Sequence, residues 1–142
     1  MFTGQRSKMD PFKTNLREQP HTRPLIFVVD DEPMLLDLSK ALLEPAGYTV
    51  KTFRDPETAL RAFASAHPAP ALVITDFAMQ GMNGLTLLRR CREIHPSQKV
   101  ILVSGTVDES VYRDSADKPD VFVAKPYSVA AFLQVIDSVL AA

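Results

Sequence analysis

The chain has 142 residues, 46% hydrophobic and 23% charged, with a formal net charge of −1. That balance suits one globular domain with a sizeable core and excludes a disordered or collagen-like chain. No apolar run approaches the roughly 20 residues of a membrane span, no signal-type apolar stretch opens the chain, and the lone Cys91 permits no internal disulfide; the expectation is a cytoplasmic protein without membrane association.

Residues 1–24 show neither helical nor strand periodicity and are punctuated by Pro11, Pro20 and Pro24, which reads as a flexible tail or linker ahead of a domain over 25–142. The tail carries five basic residues against two acidic ones, a net +3, which leaves −4 for the rest of the chain. An acidic body argues against direct nucleic-acid binding. Leu25-Ile26-Phe27-Val28-Val29 then reads as a buried strand ending in Asp30-Asp31. Glu32-Pro33 opens a helix in which Leu35, Leu38, Leu42 and Leu43 recur at helical spacing, and Gly47 suits its exit. Tyr48 to Phe53 alternates like a strand buried on one face, and Asp55-Pro56-Glu57 caps a helix from Thr58 to Ala66. Ala71 to Asp76 is the third strand, followed by a loop marked by Gly81 and Gly84 and a helix from Leu85 to Ile94 that places Cys91 as a buried, inert thiol. Lys99 to Ser104 is the fourth strand. A short helix over roughly Glu109 to Ala116 leads to the fifth strand, Asp120 to Ala124, and Ser128 caps a last helix with the stripe Phe132, Ile136, Val139 and Leu140.

This alternation is α/β, a doubly wound (βα)₅ chain. Right-handed crossovers put helices on both faces of a five-stranded parallel sheet, a three-layer sandwich. The flavodoxin-like strand order 2-1-3-4-5 sets strands one and three side by side at the switch point. Parallel strands deliver the residues that follow them to one edge, so Asp30, Asp31, Asp76, Ser104 and Lys125 converge there. Carboxylates about 4 Å apart repel by roughly 4 kcal/mol at an effective dielectric near 20. Protonation, the Lys125 ammonium or a bound cation must offset that. An all-oxygen donor set suits Mg²⁺, and His21, His67 and His95 are too scattered for zinc. Beside such an ion one carboxylate can attack phosphorus, and Asp76, alone at its strand end, is the candidate nucleophile.

The same residues resemble the receiver domains of bacterial response regulators. Val28-Val29-Asp30-Asp31-Glu32-Pro33 resembles the family's acidic motif, Asp76 to Gly84 its phosphoacceptor loop, Ser104-Gly105 its hydroxyl-plus-small pair, and Lys125-Pro126 its lysine before proline. The likeness runs from Leu25 to the C-terminus. It implies that Asp76 accepts a phosphoryl group from a phosphohistidine on a sensor histidine kinase or a histidine phosphotransfer protein. It implies Mg²⁺ held directly by Asp31, Asp76 and the Phe77 backbone carbonyl, and by Asp30 through water. Ser104 and Lys125 would hold phosphoryl oxygens, Lys125-Pro126 would be cis, and Phe122 would be the aromatic switch. Met34 and Leu36 on the first helix would form an apolar docking contact for the histidine-bearing partner, and a homodimer is a further option.

Three departures from the family pattern stand out. Gln80 replaces the usual Pro, small Ala78 leaves a path for attacking water, and Glu109–Pro119 is polar where an apolar-anchored helix is expected. Readings from other classes compete with a stand-alone receiver: a receiver cut from a hybrid sensor kinase or longer regulator, a Mg²⁺-dependent phosphohydrolase with an Asp nucleophile, and a degenerate receiver that only binds protein. The hydrolase would want an acid where Ala78 stands, and the degenerate receiver a damaged acidic set.

Overall fold

The computed structural model describes residues 23–105 and 112–142. Nearly all of the 1–24 tail therefore lies outside the described residues. In chain order the elements are β1 (Leu25–Val29), α1 (Pro33–Leu43), β2 (Thr49–Phe53), α2 (Pro56–Ser65), β3 (Leu72–Asp76), α3 (Gly84–Ile94), β4 (Val100–Ser104), β5 (Val121–Ala124) and α4 (Val129–Ala141). All four strand pairings are parallel, and the sheet order is β2-β1-β3-β4-β5. The alternation alone does not fix strand order; the flavodoxin-like order, the leading candidate for a chain of this length, is the one observed.

Two apolar layers sandwich the sheet. On one face Leu36 and Leu43 of α1 join Phe132, Ile136 and Val139 of α4 over Ile26, Val28, Ile74, Ile101 and Val103. On the other, Ala59 and Phe63 of α2 join Leu87, Leu88 and Cys91 of α3 over Phe27, Val29, Val73 and Val100. Alternate residues of β1 thus feed opposite layers, the period-two geometry of a strand covered on both sides. Each fully buried Leu, Ile or Phe contributes about 1.5–3 kcal/mol relative to exposure. Cys91 is buried as expected, and its burial pushes the thiol pKa up to about 12, against a weaker opposing pull from Arg92.

The helix starts follow local chemistry. The Asp55 carboxylate accepts from the Thr58 amide at 2.8 Å, Asn83 from Thr86 at 2.8 Å and Ser128 from Ala131 at 3.1 Å, so three helices have side-chain N-caps. Glu32 caps α1 without a side-chain bond, and Pro33 takes the first turn, where its missing N–H costs nothing. Gly47, at φ +106°, lets the chain turn from α1 into β2.

Two expectations are corrected. The buried stripe of α1 is Leu36, Ser39 and Leu43, while Leu35 and Leu42 are half-buried and Leu38 is exposed. Apolar residues surround most of this helix, so spacing alone admits more than one inward face, and packing against the sheet and α4 selects the one through Leu36. The expected helix over Glu109–Ala116 lies partly outside the described residues, and Tyr112 to Asp114 form a turn instead. Four charged residues between Asp114 and Asp120 leave little apolar surface to hold a helix there.

Candidate functional site

The five strands point one way, and the residues at their C-terminal ends share one edge. Asp30 and Asp31 follow β1, Asp76 ends β3, Ser104 ends β4 and Lys125 follows β5. Asp76 pairs in register with Val103, one residue short of Ser104, and Ser104 pairs with Ala124, one residue short of Lys125. The sheet itself therefore delivers the cluster read from the sequence.

Carboxylate oxygens of Asp30, Asp31 and Asp76 lie within 4.8 Å of one another. Asp30 is buried, Asp76 half-buried and Asp31 exposed. Asp30 is held on both sides: its amide donates to the Phe53 carbonyl at 3.1 Å, and its carboxylate accepts from the Glu32 amide at 2.9 Å. The Lys125 ammonium sits 3.4 Å from Asp76 Oδ1 and 3.6 Å from Asp30 Oδ2, bridging the two more buried acids. The Lys125 amide donates to the Ser104 carbonyl at 2.8 Å, and Lys125-Pro126 is cis, as the resemblance implied.

Among the described residues, one ammonium stands among three carboxylates, which leaves the site short of positive charge. Burial, the largest influence on Asp76, pushes its pKa above the ordinary carboxylate value; Lys125 pulls the other way, and Asp30 and Asp31 add to the upward push. Burial also works against the Lys125 charge, yet Asp76 and Asp30 together outweigh it and hold its pKa above the usual lysine value. The two rises have different causes: burial comes first for Asp76, and the neighbouring carboxylates for Lys125. Lys125 gains from two acids at once, whereas Asp76 shares its one cation with Asp30 and is repelled by its neighbours.

The loop after Asp76 is pinned at both ends. The Phe77 amide donates to Val103 O at 2.9 Å, and the Phe77 carbonyl accepts from the Gly84 amide at 2.8 Å. That carbonyl keeps a second lone pair for a metal. Thr75, fully buried, donates its hydroxyl to Asp76 O at 2.9 Å. Gly84 permits this closure, because a Cβ there would lie 2.3 Å from Asp76 O and 2.7 Å from a Leu102 methyl. Ala78 and Gln80 are exposed on the loop.

Other predicted residues separate. Ser104 is buried at the edge with the acids. Phe122 is half-buried, and its ring sits 5.8 Å from that of Tyr112, so it is not a plain core residue. Met34 is 83% exposed, whereas Leu36 is 4% exposed and belongs to the core; the docking role expected for Leu36 is therefore withdrawn, since its side chain has no free surface. Sequence spacing missed the residues that do face outward there. Leu35, Leu38 and Leu42 of α1, with Pro126, Tyr127 and Val129, line a groove of about 530 Å³ that reaches Lys125 and Gly105. Half-buried Tyr127 stacks on Phe132 at 4.5 Å. Its neighbours Lys125-Pro126 were the only signal available for it.

The sequence matches the response regulator receiver domain family over residues 26–137. It is 31% identical over 122 residues to the nitrogen assimilation regulatory protein NtrX of Azorhizobium caulinodans, covering 81% of this chain and 26% of that protein. It is 30% identical to the sensor kinase CckA of Brucella abortus over 81% of this chain and 12% of that one. The fold superposes on the Thermotoga maritima response regulator TrrA, solved in complex with Mg²⁺-BeF, at a TM-score of 0.70 with 30% identity, covering 82% of this chain and 98% of that chain. The chain thus spans about a quarter of NtrX and less of CckA. Over the matched residues, and with this sheet and strand-end cluster, the chain belongs to the response regulator receiver domain family.

Proposed function

We propose that residues 25–142 act as a phosphoacceptor switch, with Asp76 as the residue phosphorylated and residues 1–24 as a linker. The observation that carries this is the shared strand edge, where three carboxylates within 4.8 Å of one another meet a single ammonium among the described residues. The deficit of positive charge and the all-oxygen donors fit Mg²⁺. Asp31, Asp76 and the Phe77 carbonyl would hold it directly, and Asp30 would hold it through water. A bound Mg²⁺ supplies positive charge to the phosphoryl oxygens and offsets the repulsion among the acids. Asp76 Oδ attacks phosphorus as the bond to the donor breaks, and Lys125 and the Ser104 hydroxyl receive the oxygens of the transferred group. Phe122, against Tyr112, is placed to report that change beyond the site.

The donor is a phosphohistidine on a sensor histidine kinase or histidine phosphotransfer protein. Its helices would dock on the exposed apolar end of α1, through Met34 and Leu38, and along the groove to Val129. The output passes to a protein partner or a second copy of the chain, with no direct contact to nucleic acid. No helix among the described residues is long and apolar enough to cross a membrane, consistent with a role in the cytoplasm.

The test is intact mass after incubation with acetyl phosphate and Mg²⁺. Wild type gains the mass of one phosphoryl group and Asp76→Asn gains none; an equal gain in the variant moves the acceptor elsewhere. Turnover of a small phosphomonoester would favour the hydrolase reading. Exposed Ala78 leaves water a route to the acyl phosphate, so the labelled form decays within minutes, whereas persistence for many hours in Mg²⁺ would rule that route out.

A further inference from the structure

Beside the carboxylates, a second cavity of about 520 Å³ is lined by Asp31, Arg54, Asp55, Pro56 and Gln80. It shares Asp31 with the acidic cluster and lies between the start of α2 and the loop after Asp76. Its two carboxylates have other work. Asp55 accepts from the Thr58 amide and hydroxyl, each at 2.8 Å, and Asp31 belongs to the metal-binding set. Neither the Arg54 guanidinium nor the Gln80 amide bonds to another described residue. With Asp31 neutralised by a cation, the cavity presents one guanidinium and one amide donor, a pairing suited to a small carboxylate.

We propose that Arg54, assisted by Gln80, determines specificity for phosphoryl donors whose leaving group is an anion, the low-molecular-weight acyl phosphates. This rests on Asp76 being the acceptor. In the transfer the Asp76 Oδ–P bond forms while the P–O bond to the acyl group breaks, and the departing carboxylate keeps the electron pair. It needs no proton, so its charge builds through the transition state, and a guanidinium in the adjoining cavity stabilises it there. A phosphoramidate releases ammonia after protonation and presents no such anion. Gln80 contributes because an amide can donate where the family's usual Pro cannot.

The experiment measures second-order labelling rates by intact mass with acetyl phosphate and with phosphoramidate, in wild type, Arg54→Ala and Arg54→Lys. Arg54→Ala slows acetyl phosphate labelling roughly threefold to fivefold, the scale of one exposed charge contact, and leaves the phosphoramidate rate unchanged. Arg54→Lys recovers part of the loss, and 0.5 M salt shrinks the difference, the Debye length being roughly 4 Å under those conditions. Calorimetric Mg²⁺ titration supplies a readout apart from labelling. If Arg54 merely neutralises Asp31, Arg54→Ala binds Mg²⁺ more tightly and shifts both donor rates together, which overturns the proposal. Equal rates in all three proteins also overturn it. Absence of label in wild type with either donor would instead defeat the assignment of Asp76.

Discussion

At the N-terminal edge of the sheet, Arg92 donates to Gln98 O at 3.0 Å and to Asp120 Oδ2 at 3.0 Å, and Asp120 in turn accepts from the Val100 amide at 2.7 Å. Buried Gln98 donates to Pro70 O at 3.0 Å and Lys99 O at 3.1 Å, and Lys99 closes the end of α4 through Val139 O and Ala142 O at 2.8 and 2.7 Å. At the C-terminal edge, three carboxylates meet one ammonium among the described residues, which reaches Asp76 and Asp30 at 3.4 and 3.6 Å, longer than a tight ion pair. The same sheet thus carries one edge whose polar groups are mutually satisfied and one that holds uncompensated charge. The first fixes strand ends. The second stores repulsion that a bound cation can relieve, and a cation that binds only the folded chain adds to its stability.

The largest expected effect comes from breaking the loop closure at the C-terminal edge. Gly84→Val forces Cβ to within 2.3 Å of Asp76 O and 2.7 Å of Leu102. Because the obstacle includes backbone, relief requires moving β3 or α3, at a cost of about 3 kcal/mol or more. Urea denaturation should show a midpoint far below wild type; a change under about 1 kcal/mol would mean the loop is looser than this contact implies. At the satisfied edge, Gln98→Leu removes both donors from a buried site and leaves Pro70 O without its partner. We expect a loss of about 1–3 kcal/mol, the cost of an unmet buried polar group, with Mg²⁺ affinity unchanged by calorimetry. A change in that affinity would show the two edges to be coupled.

Much of this contrast was legible in the sequence, for a physical reason. Short apolar runs that end in Asp, Ser or Lys identify parallel strands and place those residues on one edge without any knowledge of packing. The face of α1 was not legible: Met34, Leu35, Leu36, Leu38, Leu42 and Leu43 wrap the helix, and only its neighbours decide that Leu36 turns inward and Leu38 outward. The satisfied edge was hidden for a related reason. Arg92, Gln98 and Asp120 are separated in sequence, and each alone reads as an ordinary surface residue. Arg54 and Gln80 also meet only through the fold, across a cavity that no local pattern signals.

The smallest effect, and the one that bears most directly on the contrast, is the sign of an acid's contribution to stability. Asp76 has a folded pKa raised above its ordinary value, by burial first and by Asp30 and Asp31 besides, in spite of Lys125. The fold therefore favours its protonated form. Its contribution is fully present below the unfolded pKa and is lost as pH rises through the folded one. At neutral pH, Asp76→Asn should then stabilise the metal-free chain, by about 1 kcal/mol or roughly 3–5 °C in Tm. Below the ordinary carboxylate range, where wild-type Asp76 is itself neutral, the gain should vanish. Mg²⁺ should reverse the ranking, because a cation at 100 times its Kd adds about 2.7 kcal/mol to whichever protein binds it, and the variant has lost a ligand. Calorimetric melting across pH, with and without Mg²⁺, separates these effects. A variant less stable than wild type at neutral pH without metal would show that Lys125 already compensates the acids, and the second edge would then be as satisfied as the first.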